Sequence, residues 1–127
     1  DVKEEEYIEM IYLKTSVLIA GSLRHGALLA DAPEHEYNAL YEFGGYLGLA
    51  FQLQDDYLDV YGDVAEFGKN IGGDIVANKK TYMLIKALEL ADPETKEELW
   101  GWIERKEFDH EEKIKAVTRI YDRLGGK

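Results

Sequence analysis

The chain has 127 residues, enough for one hydrophobic core and not for two, so a two-domain enzyme is excluded. It contains no cysteine, which closes disulfides, thiolate zinc sites and thiol nucleophiles and is compatible with the cytoplasm. A formal net charge of -11 argues against nucleic-acid binding, which needs a basic footprint, and the charge is unevenly spread: residues 1–63 hold 13 acids and 3 bases, residues 64–127 hold 13 acids and 12 bases.

Runs of Leu, Ala, Glu, Lys and Tyr at helical spacing, with two prolines and no period-two alternation, predict an all-α fold. The first helix is expected over about Glu4–Ala30, opening on the acidic turn Glu4, Glu5, Glu6. Its middle carries Met10, Ile11, Leu13, Val17, Leu18, Ile19 and Leu23 and leaves no wet face, which predicts a helix central to whatever it packs into. The longest apolar stretch, Val17–Ala20, falls far short of the roughly 20 residues of a membrane span, and no signal-sequence pattern opens the chain. A soluble, cytoplasmic protein is expected.

Asp31-Ala32-Pro33 breaks the chain, and a second helix is expected over about Glu34–Tyr61. Gly44, Gly45 and Gly48 lie in its interior, each costing about 1 kcal/mol relative to alanine, so another helix backbone or a ligand should approach closely there. Gly62–Val76 reads as a Gly-rich loop, and Asn78 as the N-cap of a helix through Ala91. Asp92-Pro93-Glu94 starts another helix that ends near Arg105. Asp109, with Glu112 three residues on, is a capping-box-like start for a last helix that stops at Gly125-Gly126.

The chemistry concentrates in Phe51-Gln52-Leu53-Gln54-Asp55-Asp56-Tyr57-Leu58-Asp59. Asp55 and Asp59 are one helical turn apart, at the negative end of the helix dipole, with no Lys or Arg between Arg24 and Lys69 to relieve them. Such a cluster is either a solvated acidic helix end or a site for a hard cation such as Mg2+, which takes one or two carboxylates and completes its shell with water and phosphate oxygens. A calcium EF-hand is rejected, because a loop counted from Asp55 puts Tyr57 third and Val60 sixth. Downstream, Lys69 in the Gly-rich loop and Lys79-Lys80 at a helix start are cations that a diphosphate could meet. His25, His35 and His110 match no metal-ligand spacing.

Phe51-Gln52-x-x-Asp55-Asp56-Tyr57-Leu58-Asp59, then Gly68-Lys69-Asn70-Ile71-Gly72-Gly73-Asp74-Ile75 and Asn78-Lys79-Lys80-Thr81, resemble the second aspartate-rich motif and following loop of the trans-polyprenyl diphosphate synthases, the farnesyl and geranylgeranyl diphosphate synthase family. The resemblance extends upstream to Lys14-Thr15 and Tyr41-Glu42-Phe43-Gly44. It implies an isoprenoid (terpenoid) synthase-type helical bundle and a Mg2+-dependent prenyltransferase that joins an allylic diphosphate to isopentenyl diphosphate. On that resemblance Asp55 and Asp59 would hold a magnesium ion, with Asp56 supporting. Lys14, Lys69 and Lys79 would contact the allylic diphosphate, Thr15 and Gln52 would lie beside the developing cation, and Phe51 would lie near the isopentenyl site.

The family's first aspartate-rich motif and its Gly-Lys-Arg run are not in this sequence, whose only Asp-Asp pair is Asp55-Asp56. Residues 1–127, opening on Asp1, are therefore expected to be a C-terminal fragment of about five helices from a longer polyprenyl synthetase domain. Such a fragment is expected to be inactive alone and to associate as a homodimer or swapped oligomer, because it exposes the apolar face that other helices would cover. The alternative is a non-catalytic helical binding or assembly module that kept the fold.

Overall fold

The computed structural model describes residues 3–62 and 71–126, and among these all regular structure is helical. In chain order the elements are α1 (Glu4–Ile11), a π-helical turn (Tyr12–Ser16), α2 (Val17–Leu29), α3 (Glu34–Tyr61), α4 (Gly73–Val76), α5 (Tyr82–Leu90), α6 (Pro93–Glu104) and α7 (His110–Arg123). The five expected helices are present, with a one-turn helix added inside the expected Gly-rich loop. The chain divides into two compact units, Glu5–Gln54 and Asp1–Glu4 with Asp55–Lys127.

In the Glu5–Gln54 unit, α1, the π turn and α2 form one helical run, and the first part of α3 packs on it. Proline opens α3 as expected: the Pro33 carbonyl accepts the first-turn N–H groups of Glu36 and Tyr37 at 3.0 and 3.2 Å. A Cβ added at Gly44 would lie 2.7 Å from Ala20 Cα, and one at Gly48 would lie 2.8 Å from Ser16 Cα and 2.6 Å from its Oγ. Backbone contact between helices therefore explains Gly44 and Gly48, while a Cβ at Gly45 would lie 3.0 Å from the Tyr12 ring. The Ser16 Oγ against Gly48 is buried and has no hydrogen-bond partner.

Two expectations for the first helix are corrected. It is not a continuous α-helix, because the hydrogen-bond ladder widens to a π turn across Tyr12–Ser16, where the tight contacts to Gly45 and Gly48 occur. Nor is its apolar belt covered: Leu13, Leu18 and Leu29 are 66%, 73% and 75% exposed. The buried residues of the run are Tyr7, Ile11, Ser16, Ala20 and Ala27, and the small Ser16 and Ala20 are those that meet the glycines of α3.

The other unit has an apolar core of Val60, Ile75, Met83, Leu84, Ala87, Leu99, Trp102, Val117, Ile120 and Tyr121, contributed by the end of α3 and by α4 to α7. Its helix starts are built locally. The Asp92 carboxylate accepts the Thr95 N–H at 2.7 Å and the Asp109 carboxylate that of Glu112 at 3.0 Å, as their spacing predicts. The cap of α5 is corrected: Thr81, not Asn78, occupies the N-cap and accepts the Leu84 N–H at 3.2 Å. Asn78 instead adopts a left-handed turn with φ 55°. Among the described residues no helix is long and apolar enough to cross a membrane.

Candidate functional site

The last two turns of α3 carry Asp55, Asp56 and Asp59. The reading of this cluster as a solvated helix end is overturned: Asp56 is 1% exposed and Asp59 5%, while Asp55 is half-buried. Burial of carboxylates needs hydrogen-bond donors, and here they are backbone amides at the starts of the following elements. Asp56 Oδ2 accepts the N–H of Tyr82, the first residue of α5, at 2.9 Å. Asp59 Oδ2 accepts the N–H of Asp74 at 3.0 Å, and the Asp59 carbonyl accepts that of Gly72 at 2.6 Å.

Those bonds bring a fourth carboxylate to the cluster. Asp74 is half-buried, and burial first, then the Asp59 carboxylate with smaller effects from Asp56 and Asp55, push its pKa above the usual value, while Lys79 pulls it down. The Lys79 Nζ lies 3.9 Å from Asp74 Oδ1, with its own side chain 49% exposed and reaching into solvent. Lys79 thus stands beside a group of crowded carboxylates, a field that favours positive charge.

Among the described residues no three acid or histidine side chains converge as metal ligands. Asp55 and Asp59, one turn apart, are the pair that could contribute an oxygen each. Asp56, engaged with the start of α5, frames them.

The remaining candidates lie in the Glu5–Gln54 unit or outside the described residues. Lys14 is exposed and Thr15 half-buried, both on the π turn, a rare helical form that recurs at functional sites. On α3, Gln52 is half-buried and Phe51 is 63% exposed. They follow Gly48 by about one turn, and Gly48 packs on Ser16 next to Thr15. Lys69 lies outside the described residues, as do Gly68 and Asn70 of the loop motif.

Sequence reasoning missed Asp74 as a member of the acidic cluster. Its signal was an acid directly after Gly72-Gly73: the left-handed φ of 89° at Gly72 lets the chain turn the Asp74 amide onto Asp59. The roles of the Tyr82 amide and of Asn78 depend on residues far away in sequence and had no local signal.

A family model described as polyprenyl synthetase matches residues 1–121. The chain is 43% identical, over 98% of its own length and 38% of the relative's, to a short chain isoprenyl diphosphate synthase of Methanothermobacter thermautotrophicus. It is 39% identical to a geranylgeranyl diphosphate synthase of Sulfolobus acidocaldarius, over 94% of this chain and 36% of that one. Among solved structures, a geranylgeranyl pyrophosphate synthase superposes with a TM-score of 0.89 at 43% identity, covering 99% of this chain and 39% of that one. A polyprenyl synthetase from Streptomyces coelicolor A3(2) superposes with a TM-score of 0.86 at 32% identity, covering 98% and 38%. The chain therefore spans between 36% and 39% of the length of these relatives.

Proposed function

The chain belongs to the polyprenyl synthetase family, and on that premise we propose that it forms the part of a prenyl diphosphate synthase that grips the diphosphate of an allylic substrate. In the whole reaction the allylic carbon–oxygen bond breaks, diphosphate leaves with the bonding pair, the isopentenyl double bond attacks the allylic carbon, and a proton is lost. The observation that carries the reading is the carboxylate cluster of buried Asp56 and Asp59, each accepting a backbone N–H, with half-buried Asp74 beside them and faced by Lys79. Carboxylates buried at that density make sense where a cation and an anionic ligand complete the charge balance.

A magnesium ion on Asp55 and Asp59 would neutralise charge developing on the departing diphosphate. The chain's own residues do the rest. Lys79 offers a point cation to the diphosphate oxygens, and Lys14 and Lys69 take the same role by their place in the family motifs. Thr15 and Gln52 present polar atoms to the allylic carbon as it becomes positive, and Phe51 borders the isopentenyl group. Electrostatic stabilisation of the leaving group is the dominant contribution in chemistry of this type.

The test is a thermal shift with inorganic diphosphate and Mg2+ together. The expected outcome is a rise in Tm that Asp55→Ala and Lys79→Ala abolish. No shift under any metal condition favours the non-catalytic helical module instead. The 127-residue chain alone is expected to form no condensation product from an allylic diphosphate and isopentenyl diphosphate, and product from a sample of verified mass would overturn that expectation.

A further inference from the structure

Lys113 on α7 is 1% exposed, among the most deeply buried side chains of the described residues. Its Nζ donates to Asn78 Oδ1 at 2.6 Å and to the Val76 carbonyl at 3.5 Å, and stands 4.2 Å from the centre of the Phe108 ring. Among the described residues no carboxylate lies within ion-pairing distance of it, and burial alone pulls its pKa down. A buried ammonium without an acid is expensive, and an apolar side chain of similar length would serve the core better. Stability therefore does not explain this lysine.

Its neighbour supplies the explanation. Asn78 has a left-handed backbone, φ 55°, and its side-chain Nδ2 donates to the Ile103 carbonyl at 3.1 Å. The amide is thus clamped from both ends, by α7 through Lys113 and by α6 through Ile103. The residues that leave this clamp are those that meet the acidic cluster. The Lys79 N–H donates to the Asp74 carbonyl at 3.0 Å, the Lys79 carbonyl accepts the Thr81 N–H at 2.9 Å, and the Tyr82 N–H donates to Asp56 at 2.9 Å.

We propose that Lys113 is a positioning residue: its buried ammonium locks the Asn78 turn, which sets Lys79 beside Asp74 and the Tyr82 amide on Asp56 before any ligand arrives. The proposal rests on the reading of this cluster as a diphosphate site. Preorganisation of this kind removes an ordering cost from binding, so its loss appears in affinity.

The experiment compares the full chain with Lys113→Met, Asn78→Gly and the double variant, using two readouts. Amide hydrogen exchange at residues 79–82 reports the turn, and calorimetric titration with inorganic diphosphate in Mg2+ reports the site. Lys113→Met is expected to speed exchange at 79–82 while leaving α7 protected, and to weaken diphosphate binding about 10- to 100-fold, the range seen for partners one shell out from a metal site. Asn78→Gly, which keeps the left-handed turn accessible but removes the amide, is expected to match it, and the double variant to add nothing further. Ile120→Val, which thins the same core without touching the clamp, is the control expected to lower Tm and leave affinity unchanged. Wild-type exchange at 79–82 in Lys113→Met, or additive effects in the double variant, overturns the proposal. If Lys113→Met does not fold, the Asn78→Gly exchange profile decides. Failure of the wild-type chain to bind diphosphate overturns the site reading, and the exchange profile then still decides whether Lys113 holds the turn.

Discussion

At Asp74 charge is crowded: burial and the carboxylates of Asp59, Asp56 and Asp55 oppose its ionisation, and among the described residues Lys79 favours it. A carboxyl whose native pKa is raised binds its proton more tightly folded than unfolded, so ionising it costs stability; the cost grows as pH rises from the unfolded value to the native one and is fully present above it. Asp74→Asn removes that cost and keeps the backbone amide that Asp59 holds. The variant is expected to have a higher Tm than wild type at pH 7, and the difference is expected to shrink as pH falls through the raised native pKa of Asp74 and to vanish below its ordinary unfolded value. A difference in Tm that stays constant from pH 7 down to pH 4 would contradict the raised pKa. Because the same carboxylate faces the proposed cation site, Asp74→Asn is also expected to narrow the thermal shift produced by Mg2+ and diphosphate.

Between elements, the contact of α3 with the first helical run is set by glycine. Gly48→Ala would drive a Cβ to 2.8 Å from Ser16 Cα, where only helix backbone can yield, and overpacking of this kind costs about 1–3 kcal/mol. The roughly 1 kcal/mol that alanine gains in a helix interior offsets part of it. At Gly101 in α6 an added Cβ meets nothing within 4 Å, so the helix gain stands alone. Chemical denaturation is expected to show Gly48→Ala destabilised and Gly101→Ala stabilised by up to about 1 kcal/mol. Equal effects at the two positions would mean that the close approach of the helices is not what fixes Gly48.

For the whole molecule, the exposed Leu13, Leu18, Leu29, Phe43, Tyr46 and Phe51 of the Glu5–Gln54 unit are more apolar surface than scattered single residues. Exposed apolar side chains of this kind are expected to drive association between copies of the chain. Light scattering is expected to give a dimer or larger species, and Leu18→Glu with Phe43→Glu to shift it towards monomer. A monodisperse monomer at all concentrations counts against this.

The sequence by itself determined the helices, because apolar spacing and caps act over three or four residues. Pro33 opens α3, Asp92 and Asp109 cap α6 and α7 through the third amide, and Gly125 leaves the last helix at φ 84°. It also singled out Asp55, Asp59 and Lys79 as candidates, since they stand at recognisable spacing. Three things were decided only by tertiary structure. Asn78 and Thr81 are both good N-cap residues, and the choice between them fell to Lys113 and Ile103, 35 and 25 residues away from Asn78. The π turn lies where α3 presses its glycines on the first helix: the glycine cluster pointed to a close approach, but which helix fills it and that its ladder widens there emerge only in the fold. Finally, burial turned an acidic helix end into a charged interior site: Asp56 and Asp59 left water because the amides of Tyr82 and Asp74 came to them, and only the folded chain brings those amides close.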